Sequence, residues 1–98
     1  MSEFQNLLQE ELKDPEFKKE WDDMQPEMDV IRAMIDARIE QNLTQKELAK
    51  RTGIDQADIS KLENGTRNPS LKLLKRLAHS MGMQLKIEFV PMQTQLRK

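Results

Sequence analysis

The 98-residue sequence contains no cysteine and no tyrosine, and it has one histidine, three glycines and four aromatic residues. Without cysteine there is no disulfide framework, thiolate metal site or cysteine nucleophile. The glycines form no glycine-rich phosphate loop, and the single histidine has no second ligand at metal-binding spacing. We therefore expect no enzyme activity, no cofactor and no metal.

Long apolar stretches are absent as well, and no run approaches the roughly 20 residues that cross a bilayer. The first residues are acidic, whereas a secretory signal would be basic. Apolar residues make up 37% of the chain and charged residues 34%. This balance predicts one modest domain with a small helical core, and we expect a cytoplasmic protein.

The net charge of −1 is unevenly distributed along the chain. Residues 1–30 carry ten acidic and three basic residues, whereas residues 31–98 carry seven acidic and thirteen basic residues. A polyanion would be attracted to the second part and repelled by the first. The acidic part suits a basic protein partner, although a solvated pair of helices would have the same composition.

The central stretch of the chain predicts two short helices joined by a tight turn. Thr44 and Glu47 form a capping-box pattern, and Gly53 suits the left-handed position after a helix. Asp55 is placed to cap the second helix, which Asn64-Gly65 ends. This arrangement is the helix-turn-helix pattern.

A segment of about residues 28 to 82 resembles the lambda-repressor-like (Xre) helix-turn-helix family, on the motifs TQxELA, GI, ISxLENG and NPS in that order. The fold expected is an all-α, five-helix lambda-repressor-like bundle, preceded by short N-terminal helices and followed by one C-terminal β-strand. Family members commonly pair an arginine of the first helix with the glutamate of the Leu-Glu-Asn-Gly run. The resemblance thus implies a structural salt bridge between Arg38 and Glu63.

DNA binding follows from this pattern, because the second helix of the motif enters the major groove and the first crosses the backbone. Gln56 suits adenine and Ala57 a thymine methyl. Asp58 is unusual on such a helix, since it must turn away from phosphate or accept a hydrogen bond from cytosine. The predicted DNA-binding residues are Thr44, Gln45, Gln56, Ala57, Ser60, Lys61, Thr66, Arg67 and Asn68.

The N-terminal part shows two apolar helical stripes. Asp14-Pro15 separates them, and Pro26 is predicted to open the next helix, which runs to about Gln41. The chain then divides into an acidic extension (1–25), a helix-turn-helix domain (26–82), and a C-terminal strand and tail (83–98). The stripes must pack against the body or a partner.

The C-terminal segment changes to an apolar period of two, which predicts a β-strand. No second strand is predicted, and a single strand needs a partner for its backbone. We therefore expect antiparallel pairing with the same strand of a second copy. The predicted dimerisation residues are Leu85, Ile87 and Phe89.

The whole arrangement resembles HigA-type antitoxins of type II toxin–antitoxin systems, on the segments 13–17 and 82–89. The resemblance implies a dimeric repressor of its own operon that binds and neutralises a small basic mRNA endonuclease of RelE/HigB fold. Two alternatives remain: a stand-alone phage or plasmid repressor, and an interaction scaffold with a vestigial helix-turn-helix. The candidate toxin-binding residues are Phe4, Leu7, Leu8, Leu12, Phe17 and Trp21.

Overall fold

The computed structural model describes residues 3–92 as five α-helices joined by short turns, with no strand assigned in this range. The helices are α1 (Glu3–Glu11), α2 (Pro15–Glu40), α3 (Gln45–Thr52), α4 (Gln56–Glu63) and α5 (Leu71–Ser80). The predicted all-α, lambda-repressor-like arrangement is confirmed. Between residues 3 and 92, none of the helices combines the length and apolar character that a membrane span requires.

The hydrophobic core lies among the second half of α2, α3, α4 and α5. Ile59 and Leu62 of α4 are its most enclosed side chains, each 1% exposed. Neither α1 nor the first half of α2 contributes a side chain to this core. The core cluster consists of Met34, Leu43, Leu48, Ile54, Ile59, Leu62, Leu77 and Met81.

Helix α2 runs without interruption through Pro26, so the predicted helix start at this residue is wrong. Asp14 is the N-cap, with its side chain accepting a hydrogen bond from Glu16 N at 3.0 Å, and Pro15 opens the helix as predicted. Proline in a helix interior removes the N–H that would bond to the carbonyl of Asp22. Pro26 and Asp22 are both exposed, so water can satisfy that carbonyl.

Because α2 is continuous, the chain has fewer separate helices than expected. Helix α1 precedes four helices of the body, and the predicted second N-terminal helix and first bundle helix are one element. We call residues 3–29, which comprise α1 and the first half of α2, the N-terminal arm. The division of the chain into a toxin-binding extension and a DNA-binding domain stays a prediction.

The predicted caps of the helix-turn-helix are largely as expected. Thr44 and Glu47 form a reciprocal capping box, and Gly53 has a φ of 77° after α3. Hydrogen bonds from the Thr44 backbone and then its hydroxyl hold the pKa of the Glu47 carboxyl below its usual value. Asp55 occupies the N-cap position of α4, but its side chain makes no capping hydrogen bond.

Residues 83–92 form no regular secondary structure, so the predicted strand is absent from the single chain. Met83 packs against the core and Leu85 is half-buried, whereas Ile87 is 60% and Phe89 99% exposed. A strand needs a second backbone, and no described segment supplies one. Pairing across a dimer stays a prediction. Residues 1–2 and 93–98, the ends of the predicted extension and tail, lie outside the described residues.

Candidate nucleic-acid interface

Helix α4 has one buried side and one side open to solvent. Ile59 and Leu62 anchor it in the core, three residues apart on the same face. Gln56, Ala57 and Lys61, which were predicted to contact DNA, are exposed, and Ser60 is half-buried. The helix thus presents a polar surface whose orientation is fixed by its own core residues.

The carboxylate of Glu63, the last residue of α4, is buried and forms an ion pair with Arg38 of α2. Arg38 donates to Glu63 twice, from Nε to Oε2 at 2.8 Å and from Nη2 to Oε1 at 3.0 Å. The predicted Arg38–Glu63 salt bridge is therefore present, with side chains 15% and 8% exposed. The hydrogen bond to Glu63 raises the pKa of Arg38 more than burial lowers it.

Gln45 extends this network, a contact that the sequence did not predict. Its Nε2 donates to Glu63 Oε1 at 3.1 Å, while Arg38 Nη1 donates to the Leu43 carbonyl at 2.8 Å. An amide nitrogen carries two hydrogens, so one is held by Glu63 and the other is free for a phosphate oxygen. The network thereby links α2, the first residue of α3 and the last residue of α4.

Thr44 lies beside Gln45 but is already engaged in the capping box. Its hydroxyl accepts from Glu47 N at 3.0 Å, and its own N–H donates to Glu47 Oε1 at 2.8 Å. The hydroxyl also donates to the Glu47 carboxyl, so its hydrogen reaches a phosphate only by leaving that carboxyl. Gln45 keeps a second amide hydrogen for the predicted contact to the DNA backbone, whereas Thr44 must exchange a capping-box hydrogen bond for it.

The turn after α4 holds the other predicted residues. Thr66 Oγ1 donates to Asn64 Oδ1 at 2.8 Å, so this hydroxyl stabilises the turn itself. Asn68 is exposed. Arg67 Nη1 lies 3.3 Å from Asp58 Oδ2 of α4, so the acid that the sequence analysis found unusual pairs with a residue that was predicted to contact DNA. Sequence spacing gave no signal for this pair, since nine residues and a turn separate its members.

The candidate toxin-binding residues lie on the N-terminal arm. Phe4 and Leu7 are each 66% exposed. Leu8 and Leu12 are half-buried, as are Phe17 and Trp21. The rings of Phe17 and Trp21 stack, with centroids 6.2 Å apart and planes inclined by 22°. None of these six side chains belongs to the core.

Comparison with known proteins bears on the segment that contains this interface. A helix-turn-helix family model (HTH_3) matches residues 34–86, slightly more than half of the chain. The chain belongs to this helix-turn-helix family. The matched segment begins at Met34, the first core residue of α2, and includes all of α3, α4 and α5.

Curated relatives of this Xre-type helix-turn-helix protein fall into two groups. It is 43% identical over 49 residues to an uncharacterized HTH-type transcriptional regulator of Archaeoglobus fulgidus, spanning 50% of this chain and 69% of that protein. It is 38% identical over 52 residues to the uncharacterized HTH-type regulator YqaF of Bacillus subtilis, spanning 53% of this chain and 68% of that protein.

The other group extends further along the chain. The chain is 32% identical to antitoxin HigA1 of Mycobacterium tuberculosis over 74 residues, and this aligned segment covers 76% of the chain. The match spans 50% of the length of HigA1. No solved structure matched the chain.

Proposed function

We propose that this helix-turn-helix regulator is an antitoxin. As a dimer it represses its own operon through α4, and its N-terminal arm binds and neutralises a small basic toxin of RelE/HigB fold. The observation that carries the proposal is the uncovered apolar surface of the arm. Helix α1 buries no side chain, although Phe4 and Leu7 give it an apolar stripe. Such a stripe is stabilised when a partner covers it.

The charge of the arm indicates what kind of partner would cover it. Ten of the chain's seventeen acidic residues lie in residues 1–30, with only three basic residues. A basic protein would be attracted to this surface, and the exposed aromatic and leucine side chains would supply the apolar contact. A small basic toxin meets both requirements, whereas duplex DNA would be repelled.

The match to HigA1 supports the same proposal because of its length. It covers 74 residues, whereas the helix-turn-helix segment 34–86 contains only 53. Any continuous 74-residue stretch of this 98-residue chain includes residues 25–33. The similarity to an antitoxin therefore continues into α2 before the core begins, beyond the part that is common to helix-turn-helix regulators.

For DNA binding, we predict that the double variant Gln56→Ala/Lys61→Ala binds the operator more weakly by a few kcal/mol at most. Both side chains are exposed on α4, and a good base contact contributes about 1–3 kcal/mol of discrimination. The operator would be selected from random duplexes and measured by footprinting. Leu71→Ala, an exposed position (58%) on α5, is the control. Unchanged protection by the double variant would refute the assignment.

For toxin binding, we predict that Phe4→Ala/Leu7→Ala and Phe17→Ala/Trp21→Ala each weaken toxin affinity by about 10- to 100-fold, as interface anchors do. The full-length chain would be used as bait in its native cell. A co-purifying basic protein would be identified by mass spectrometry, expressed and tested for mRNA cleavage during translation. Adding the wild-type chain should abolish that cleavage.

Two comparisons make this experiment decisive. Phe4 and Leu7 are exposed in the free chain, so their removal costs little internal packing, and circular dichroism should be unchanged. Leu71→Ala removes an exposed leucine outside the arm and should bind toxin normally. If wild-type chain brings down only DNA and its own copies, the antitoxin proposal is wrong and a stand-alone repressor takes its place.

A further inference from the structure

An ion pair lies on the surface that we assign to DNA. Asp58 occupies the first turn of α4, between Ala57 and Ser60, and its Oδ2 lies 3.3 Å from Nη1 of Arg67. Their side chains are 39% and 44% exposed, so both remain accessible to a ligand. The pair connects the start of the recognition helix with the turn that follows its end.

This pair matters because the candidate interface has few cationic side chains. Of its nine predicted DNA-contacting residues, only Lys61 and Arg67 carry a positive charge. Arg51, another base near the motif, instead donates from Nη1 to the Ser80 carbonyl at 3.3 Å. Whatever engages Arg67 therefore alters the charge that one of these two predicted contacts offers to phosphate.

We propose that Asp58 reduces non-specific DNA binding by holding Arg67 in an ion pair that a phosphate must displace. The inference rests on the proposed DNA-binding function and names a residue that limits the affinity of this surface for arbitrary DNA. On arbitrary DNA, a phosphate near Arg67 competes with a carboxylate already in place and is repelled by its charge. At the operator, base contacts from α4 fix the position of the protein, and this penalty is outweighed.

The pair is suited to such competition because exposed ion pairs are weak. A phosphate can accept two parallel hydrogen bonds from a guanidinium, whereas Arg67 Nη1 and Asp58 Oδ2 lie 3.3 Å apart, a long distance for a charge-assisted contact. Displacement is therefore feasible at a correctly positioned phosphate. Asp58 then sets the free-energy cost of moving Arg67 to a phosphate, and it need not contact a base itself.

The test compares Asp58→Asn with a matched variant, Asp55→Asn. Both remove one negative charge from the N-terminal end of α4, but Asp55 makes no capping hydrogen bond and no ion pair among the described residues. Full-length proteins would be titrated into a fluorescent random-sequence duplex and into the selected operator, from about 50 to 200 mM salt. Arg67→Gln and Asp58→Asn/Arg67→Gln complete the set.

We expect Asp58→Asn to bind the random duplex more tightly than Asp55→Asn does. One additional phosphate contact steepens the salt dependence by about 0.9 in the logarithmic slope, which is an extra loss of about 3.5-fold over this fourfold salt range. In the Arg67→Gln background this extra slope should vanish, because the freed cation is gone.

Other outcomes would overturn the inference. If Asp58→Asn matches Asp55→Asn on the random duplex, the ion pair does not limit non-specific binding. If it loses only operator affinity, Asp58 reads a base or orients Arg67. If wild-type protein binds neither duplex at low salt, the DNA-binding function fails together with the inference, which separates this case from the first two.

Discussion

Replacing Glu63 by alanine should destabilise the folded chain by about 3–5 kcal/mol, the usual effect of removing one member of a buried ion pair. Glu63 accepts three hydrogen bonds, two from Arg38 and one from Gln45, and its side chain is 8% exposed. Without it, Arg38 remains a charge that is mostly out of water. Domains of this size are typically stable by only about 5–15 kcal/mol, so the loss would be severe.

The control for this prediction removes both charges. Arg38→Met/Glu63→Leu should lie closer to wild type than Glu63→Ala does, since no isolated charge stays buried. Stability would be measured by urea unfolding and circular dichroism. Trp21 fluorescence would follow the arm separately, because this is the only tryptophan and it lies outside the core. A Glu63→Ala loss below about 1 kcal/mol, the scale of a surface pair, would contradict the assigned role.

Features determined by a few neighbouring residues could be predicted from the sequence. The Thr44–Glu47 capping box and the left-handed Gly53 are examples, since each depends on residues within one helical turn. The Arg38–Glu63 pair joins residues 25 apart, and only the resemblance to a known family suggested it. The exposed face of α4 followed from the spacing of its core residues.

Features that depend on the whole structure could not be predicted in the same way. Proline is a strong signal to begin a helix, yet Pro26 lies inside α2. The residues on both sides continue the helix, and Pro26 is exposed to solvent. The Asp58–Arg67 pair required knowing how the turn after α4 folds back along that helix. The sequence assigned Gln45 to a phosphate contact. Its hydrogen bond to Glu63, 18 residues away, requires the packing that brings the start of α3 to the end of α4.

The predictions that remain open concern surfaces whose proposed partners lie in another molecule. The arm exposes Phe4 and Leu7, and the C-terminal segment exposes Ile87 and Phe89. The described chain buries neither set, so the roles that we propose for them require a toxin and a second copy. The physical reason is the same for both, since neither an isolated helix nor an isolated strand is stable without packing.

The second large effect is expected for Ile59→Ala, because Ile59 joins α4 to the core. It is 1% exposed, and truncating a buried isoleucine costs about 2–5 kcal/mol through lost burial and the cavity left behind. Ile39→Ala is the matched control, with the same chemical change at a helical position that is 58% exposed. It should remain within about 0.5 kcal/mol of wild type, as surface substitutions usually do.

Urea unfolding of both variants at low protein concentration tests the prediction. The quantity to compare is the difference between their free energies of unfolding. The α4 surface can bind DNA only while Ile59 and Leu62 hold the helix in place, so operator binding by Ile59→Ala should fall in proportion to its folded fraction. Adding excess operator should shift its unfolding midpoint upwards, since a ligand that binds the folded state stabilises it. Equal destabilisation by the two variants would mean that Ile39 is covered in solution, and that the core placed around α4 does not dominate stability.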